Sequence, residues 1–481
     1  MIILIKSATI ITDKKKVKNM KYLMIDFGST FTKLTAVDSD KRDVIGTAAH
    51  FTTVDTDITI GYENALKELY KKLGEEVHFD KVIACSSAAG GLKMCAIGLV
   101  EELTVEAAKR VCLGAGAKVD LVFSHHLTNK ELQEIIDKKI DIVLLAGGTD
   151  GGNTECVLYN CEALGAYGIK IPVVFAGNKD VSDEIEAIFK KYDMNGHIVE
   201  NVMPKINVLN LPSAREEIRK IFLTNIIEAK GIKKIEHTID KVILPTPEAV
   251  LQASELLSKG YMHEEGLGEI VLVDIGGATT DFYSMSSPSA KRSDVYIKGL
   301  EEPYAKRTVE GDLGMRYSAL GIAASLTAEE KRMFKEDEGI DIDEEAKFRR
   351  EHVDIVFSEG READIDTVFA GICSDKAISR HVGILEEMYS PIGVMYNQTG
   401  KDLSQVSYVI GTGGVLIHNR APLRALKKVI ATRAHMKELR PINPDFMLDK
   451  DYLLASMGLL SSIDPLLALE IMKKHIVKIT K

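Results

Sequence analysis

The sequence predicts an α/β protein built as a diverged duplication, and three observations carry that reading. A polar hairpin breaks out of an apolar run in MKYLMIDFGSTFTKLTAVD, which starts at Met20, and the pattern returns in GEIVLVDIGGATTDFYSM, which starts at Gly268. Each hairpin is followed, roughly 120 to 140 residues on, by an apolar strand ending in a glycine pair, VLLAGGTDGGN and YVIGTGGVLIHN. Between them, strand-like and helix-like stretches alternate, the signature of parallel pairing.

Taken in order, residues 22–25 and 33–37 read as two strands around the turn Gly28-Ser29-Thr30, and residues 45–50 continue the meander. YENALKELYKKLG has helical spacing, DKVIACSS is strand-like and TVEAAKRVCLGAG is helical. VDLVFSH, NKELQEIIDKK and DIVLLAGG then give strand, helix, strand. The alternation predicts a first domain over residues 20–162 and a second over 242–481. Residues 163–241, with IPVVFAGNKDVSDEIEAIFKKY and the helical run ending in LTNII, are expected to form an inserted α/β subdomain. The opening residues 1–19 place their basic cluster after the apolar pieces, the reverse of a signal peptide, and are expected to be an extension outside the fold, since Met20 is followed directly by a strand. Residues 329–362 read as a charged, solvated helical face.

Composition bounds the function. A chain of 481 residues exceeds one core. With 71 acidic against 61 basic residues and a net charge of -10, a general nucleic-acid binder is excluded, so any phosphate must be held locally. The six cysteines form no C-x-x-C pair, and no stretch approaches the ~20 apolar residues a bilayer span needs. A cytoplasmic protein with reduced thiols and no membrane partner is the expectation.

The first hairpin offers Asp26, Gly28, Ser29, Thr30 and Lys33. Glycine lets backbone amides approach an anion, hydroxyls add donors, and lysine supplies a point charge for phosphate. Asp26 would repel phosphate unless a divalent cation lay between them. The second hairpin repeats the set as Asp274, Gly276, Gly277, Thr279, Thr280 and Asp281, so two loops could clamp a polyphosphate from both sides. The turn Gly411-Thr412-Gly413-Gly414 closes a strand and would let a flat purine lie against backbone. Asp150, in the glycine-rich loop after VLLAGG, is the candidate second acid, and Ser86, Ser87, Gly90 and Gly91 are candidate cleft residues. No G-x-x-x-x-G-K-[ST] motif is present, which excludes an ordinary P-loop.

This order of acidic hairpin, second acidic hairpin and glycine turn resembles the actin, Hsp70 and sugar-kinase ATPase superfamily, including a lysine seven residues after the first acid. The resemblance implies two RNase H-like domains with ATP and Mg²⁺ in the cleft between them. Asp26 and Asp274 are then implied at the metal, and Asp26, Asp150 and Asp274 as catalytic acids. Gly28, Ser29, Thr30, Lys33, Gly276, Gly277, Thr279 and Thr280 would bind phosphate, and Gly411 to Gly414 adenosine.

Within the superfamily, CSSAAGGLKM, LLAGGTDGGN, VDIGGATTDFYS and TVEGDLGMRYSA resemble the GlmL/MutL accessory proteins encoded beside adenosylcobalamin-dependent glutamate mutase, unrelated to the mismatch-repair protein of similar name. That implies an ATP-dependent reactivating chaperone that frees a stalled mutase of damaged cobalamin. The chain has no D-x-H-x-x-G motif, so it would act on the mutase subunits as partner and not be one. A small-molecule kinase with Asp150 as base is the alternative. An actin-like filament protein is a third, which would need a self-complementary face.

Overall fold

The computed structural model describes residues 20–28, 31–51, 58–87, 92–229, 239–355, 357–391 and 393–479. Strands β1 (Lys21–Phe27), β2 (Phe31–Asp38) and β3 (Asp43–Phe51) form an antiparallel meander. Strand β4 (Lys81–Ser86) joins β1 in parallel, and β10 (Lys241–Pro245) joins β4, giving the order β10-β4-β1-β2-β3. The helix α1 (Ile58–Leu73) turns Ile58, Tyr62, Ala65 and Leu69 inward, a spacing of three to four residues that puts them on one face.

The second lobe repeats this wiring. Strands β13 (Ile270–Ile275), β14 (Thr280–Met285) and β16 (Ala305–Glu310) are the meander. Strands β19 (Tyr408–Thr412) and β20 (Asp445–Asp449) are the parallel additions, and β21 (Ile476–Lys478) closes the edge, in the order β16-β14-β13-β19-β20-β21. Two sheets with the same five-strand order and sense make this a duplicated RNase H-like, two-lobed α/β protein. A small hairpin, β11 (Gly260–Tyr261) with β12 (Glu264–Glu265), and a three-stranded sheet of β15 (Val295–Lys298), β17 (Ile384–Ser390) and β18 (Gly393–Thr399) decorate it.

Between β4 and β10 lies a third sheet. Strands β5 (Lys93–Gly98), β6 (Lys118–Ser124), β7 (Ile142–Leu145), β8 (Val173–Phe175) and β9 (Gly196–Ile198) are all parallel, in the order β6-β5-β7-β8-β9. IVLL and VVF are apolar throughout because both their faces are covered. Helices α2 (Glu106–Gly114) and α6 (Pro212–Ala229) pack on the face it shares with the first lobe. Helices α3 (Asn129–Asp137), α4 (Glu155–Ala166) and α5 (Ser182–Lys191) cover the other.

The sequence expectation divided this region differently, ending the first domain at 162 and starting the insertion at 163. Residue 162 falls inside α4, and the strands on either side of it share one sheet. Local periodicity reads strand, helix, strand identically whether the chain extends an old sheet or opens a new one. Only the pairing of β4 with the distant β10 separates the two. The same pairing reassigns one repeat. The counterpart of β19 is β4, parallel neighbour of β1, so YVIGTGG corresponds to KVIACSS and not to VLLAGG.

The lobes share a core. Helix α7 (Thr246–Lys259) and the helices Leu454–Ser461 and Pro465–His475 bury Ala249, Leu257, Met457, Leu460 and Leu469 against Met24 and Ile83 of one sheet and Leu272 and Ile410 of the other. At the crossing, a Cβ on Gly458 would sit 1.9 Å from the Ala249 carbonyl oxygen. Gly458→Val is therefore expected to lower the unfolding free energy by about 1–3 kcal/mol or more by overpacking, measured by calorimetry. A variant as stable as the parent would contradict the close helix crossing.

Candidate nucleotide site

The hairpins carry their acids at equivalent places. Asp26 pairs in register with Lys33, and Asp274 with Asp281. Cross-strand partners lie on the same side of a sheet, so Lys33 accompanies Asp26. The Gly28 amide closes the first turn on the Phe31 carbonyl at 3.1 Å, where a Cβ would stand 2.5 Å from that oxygen. Ser29 and Thr30 lie outside the described residues, as do Gly90 and Gly91.

Asp26 is buried. One carboxylate oxygen accepts from the Thr246 hydroxyl at 2.7 Å, at the start of α7, and from the Cys85 thiol at 3.5 Å. The other lies 4.0 Å from the Lys33 ammonium. Cys85, at the end of β4, is driven up by burial and then by the Asp26 charge, so it is a neutral donor. All six cysteines are free and buried.

In the second hairpin the Gly276 amide donates to the Thr279 carbonyl at 2.9 Å. The Thr279 hydroxyl donates to Asp281 at 3.2 Å, and the buried Thr280 hydroxyl donates to the Leu313 carbonyl, bracing the turn from behind. The Gly277 carbonyl accepts from the Arg316 and Tyr317 amides, both at 2.8 Å. Asp281 is ion-paired with the buried Arg307, whose guanidinium also donates to the carbonyls of Leu113 at 3.2 Å and Ala117 at 3.1 Å in the insertion. Thus Arg307 links the second hairpin to the insertion.

The glycine turn adjoins that hairpin, with Asp274 in parallel register with Thr412. Gly413 has φ of 99°, and a Cβ there would lie 2.3 Å from the Ile275 carbonyl oxygen, so only glycine fits. Gly414 opens the short helix Gly414–Ile417 and has open space beside it, and Gly411 packs on Leu416 and Leu426.

Two residues absent from the sequence-based set complete the floor. Asp449, fully buried at the end of β20, accepts from the Thr412 hydroxyl at 3.2 Å and from the Leu453 and Leu454 amides at 2.9 and 3.2 Å. The Tyr452 ring, in the following turn, has the Lys33 ammonium 3.1 Å from its centroid. DKDYLLAS does hold a signal for Asp449, an acid just ahead of a helix, but nothing local points Tyr452 at a lysine of the other lobe. Asp150 stands with other partners: its carboxylate accepts from the Asn201 side chain at 2.9 Å and lies 3.8 Å from the Lys179 ammonium, both residues of the insertion. Glu310 and Asp312 pair with Arg380, each at 2.7 Å.

The electrostatics follow from this gathering. Burial lowers the Lys33 pKa, opposed by the charges of Asp26, Asp274 and Asp449. Burial and then the neighbouring Asp281 push the Asp274 carboxyl up to about 7, against the pull of Lys33. A floor with three carboxylates and one ammonium suits a divalent cation. Among the described residues no group of three His, Cys, Asp or Glu side chains is set to hold a metal directly. A cation here would take most of its ligands from phosphate oxygens and water, as Mg²⁺ does.

Residues 22–476 match the family model described as MutL protein. The chain belongs to the MutL protein family. Protein MutL of Clostridium tetanomorphum is 50% identical over 459 residues, which cover 95% of this chain and 99% of that one. Among solved structures, nucleotide-free acetone carboxylase aligns at 11% identity and a TM-score of 0.38, over 92% of this chain and 70% of its own. Gluconate kinase from Lactobacillus acidophilus aligns at 10% identity and a TM-score of 0.33, over 96% and 92%. The strand orders, and not these distant alignments, establish the fold of this MutL-family chain. No helix among the described residues is long and apolar enough to cross a membrane.

The shift on Asp274 sets a pH dependence. Its folded pKa lies above the unfolded value, so its contribution favours folding below about pH 4 and is lost as pH rises through about 7. The ionised form, which attracts a cation, is gained over the same rise. Cation-dependent nucleotide affinity is expected to strengthen from about pH 6 to about pH 8, and Asp274→Asn to flatten that profile in titration calorimetry. An unaltered slope in the variant would assign the proton elsewhere.

Proposed function

We propose that this chain is an ATP-dependent reactivating chaperone for a cobalamin-dependent mutase, with glutamate (methylaspartate) mutase as the client, and that hydrolysis in the cleft drives release of damaged cofactor. Its membership of the MutL family supports the accessory role. The observation that carries the ATP part is the meeting, on one floor, of two duplicated acid hairpins, a glycine turn and a lysine contacted from both lobes.

The residues divide the work as follows. Lys33 and the Gly277 amide stabilise charge on the phosphates, as preorganised donors do, while Gly28 and Gly276, whose amides close the two turns, leave room for the phosphates to approach the backbone. The Gly411–Gly414 turn takes the adenosine. Asp26 and Asp274 would hold Mg²⁺, which supplies neutralisation of phosphate charge. We give the water-orienting role to Asp274 and not to Asp150, whose described contacts are with the insertion. Recognition of the client falls to the insertion, which carries none of the nucleotide motifs and touches the second hairpin through Arg307. Client affinity must differ between nucleotide states for hydrolysis to do work, since equal affinity shifts no population.

Asp26→Ala and Asp274→Ala are each expected to fold and to lose Mg-ATP hydrolysis by a factor of ~10². Parent-like turnover in both would remove the paired-hairpin site. Hydrolysis should be slow alone and rise when the purified mutase is added, whereas an efficiently phosphorylated sugar, polyol or carboxylic acid would favour a kinase.

On the insertion's surface, Tyr159, Ile206 and Val208 are 47%, 68% and 49% exposed. Tyr159→Glu with Ile206→Glu and Val208→Glu should spare ATP binding while weakening mutase capture in a pull-down. Undiminished capture would put the recognition surface elsewhere.

A further inference from the structure

Lys33 and Tyr452 belong to different lobes, yet theirs is the tight contact of the lysine head group. Its ammonium is 3.1 Å from the ring centroid, while the Asp26 carboxylate stays at 4.0 Å, beyond hydrogen-bond distance. Three carboxylates pull on this cation, and it sits on a ring. Tyr452 is also held in an uncommon conformation. Its φ of 59° lies in the left-handed region that non-glycine residues rarely adopt. The surroundings fix it there: its amide donates to the Asp449 carbonyl at 3.3 Å, and the next two amides are tied to the Asp449 carboxylate. Just beyond, the Thr35 and Ser456 hydroxyls are 2.8 Å apart, joining the same strand of one lobe to the same helix region of the other.

We propose that Tyr452 is a positioning residue for Lys33: the ring holds the ammonium across the cleft, off the Asp26 carboxylate, where an incoming nucleotide phosphate can take it. The proposal rests on the reading of this cleft as a nucleotide site. A lysine head on a long flexible stem loses entropy when fixed, and a ring face fixes it without the closed ion pair that a phosphate would have to break. Without the ring, Lys33 falls onto Asp26, and nucleotide binding must first separate them.

The chain contains no tryptophan, so Tyr452→Trp keeps an aromatic face and installs a single indole as a probe. Emission of Tyr452→Trp is compared with that of the Lys33→Met, Tyr452→Trp double variant, first without nucleotide and then during titration with Mg-ATP. Removing the ammonium is expected to change the nucleotide-free emission. Mg-ATP is expected to move the single variant toward the level of the double variant, and to leave the double variant unchanged. In parallel, Tyr452→Phe should bind Mg-ATP as the parent does, while Tyr452→Leu binds about fivefold more weakly, seen in KM more than in kcat. Identical nucleotide-free emission of the two Trp variants, or equal affinity of the Phe and Leu variants, would overturn the proposal. If the parent binds no ATP, the reading of the cleft fails, and the nucleotide-free emission pair still decides the lysine–ring contact on its own.

Discussion

Concentrated negative charge on the cleft floor is the constraint to which the rest of the site answers. Asp26, Asp274 and Asp449 converge with the Lys33 ammonium, Asp26 and Asp449 buried and Asp274 and Lys33 partly so. A buried carboxylate must be paired, hydrogen-bonded or protonated. The protein uses all three remedies. Asp26 takes a hydroxyl and a thiol, Asp449 takes two amides at a helix start and a hydroxyl, and Asp274 is left to hold a proton near neutrality. Asp281, next to it, is neutralised by Arg307. The residual imbalance is what would draw a cation arriving with phosphate to this floor in the function proposed above.

Such a floor needs two rigid sheets facing each other. The repeated strand order puts an acid at the end of each first strand and a polar residue beside it on the parallel neighbour, Cys85 next to Asp26 and Thr412 next to Asp274. The helices behind both sheets share one core, and their approach at Gly458 fixes the distance between lobes. The insertion then reaches the second hairpin through the Arg307 contacts with Leu113 and Ala117, a physical route by which its surface and the acids of the floor bear on each other.

Much of this was legible in the residues. Asp26, Lys33, Asp274 and Gly413 were readable because each belongs to a local turn whose chemistry is written within a few positions, and the duplicated hairpin announced two lobes. What was hidden depended on contacts between distant segments. The extent of the insertion is set by β10 pairing with β4. The placement of Asp150 follows from Asn201 and Lys179. The closing pieces Thr246, Asp449 and Tyr452 acquire meaning only when helix starts from remote parts of the chain arrive at the hairpin. A threonine after a proline or a tyrosine before two leucines carries no such message by itself.

The central claim is that the floor is a site for nucleotide together with a divalent cation, and not for a nucleotide alone. The direct measurement is titration calorimetry of the intact protein with ATP, with Mg²⁺ present and with the cation removed by chelation. The charge on Asp26, Asp274 and Asp449 predicts binding with Mg²⁺ and its loss, by a factor of ten or more (about 1.4 kcal/mol), without it. Equal affinity in the two conditions, or no binding in either, would contradict it.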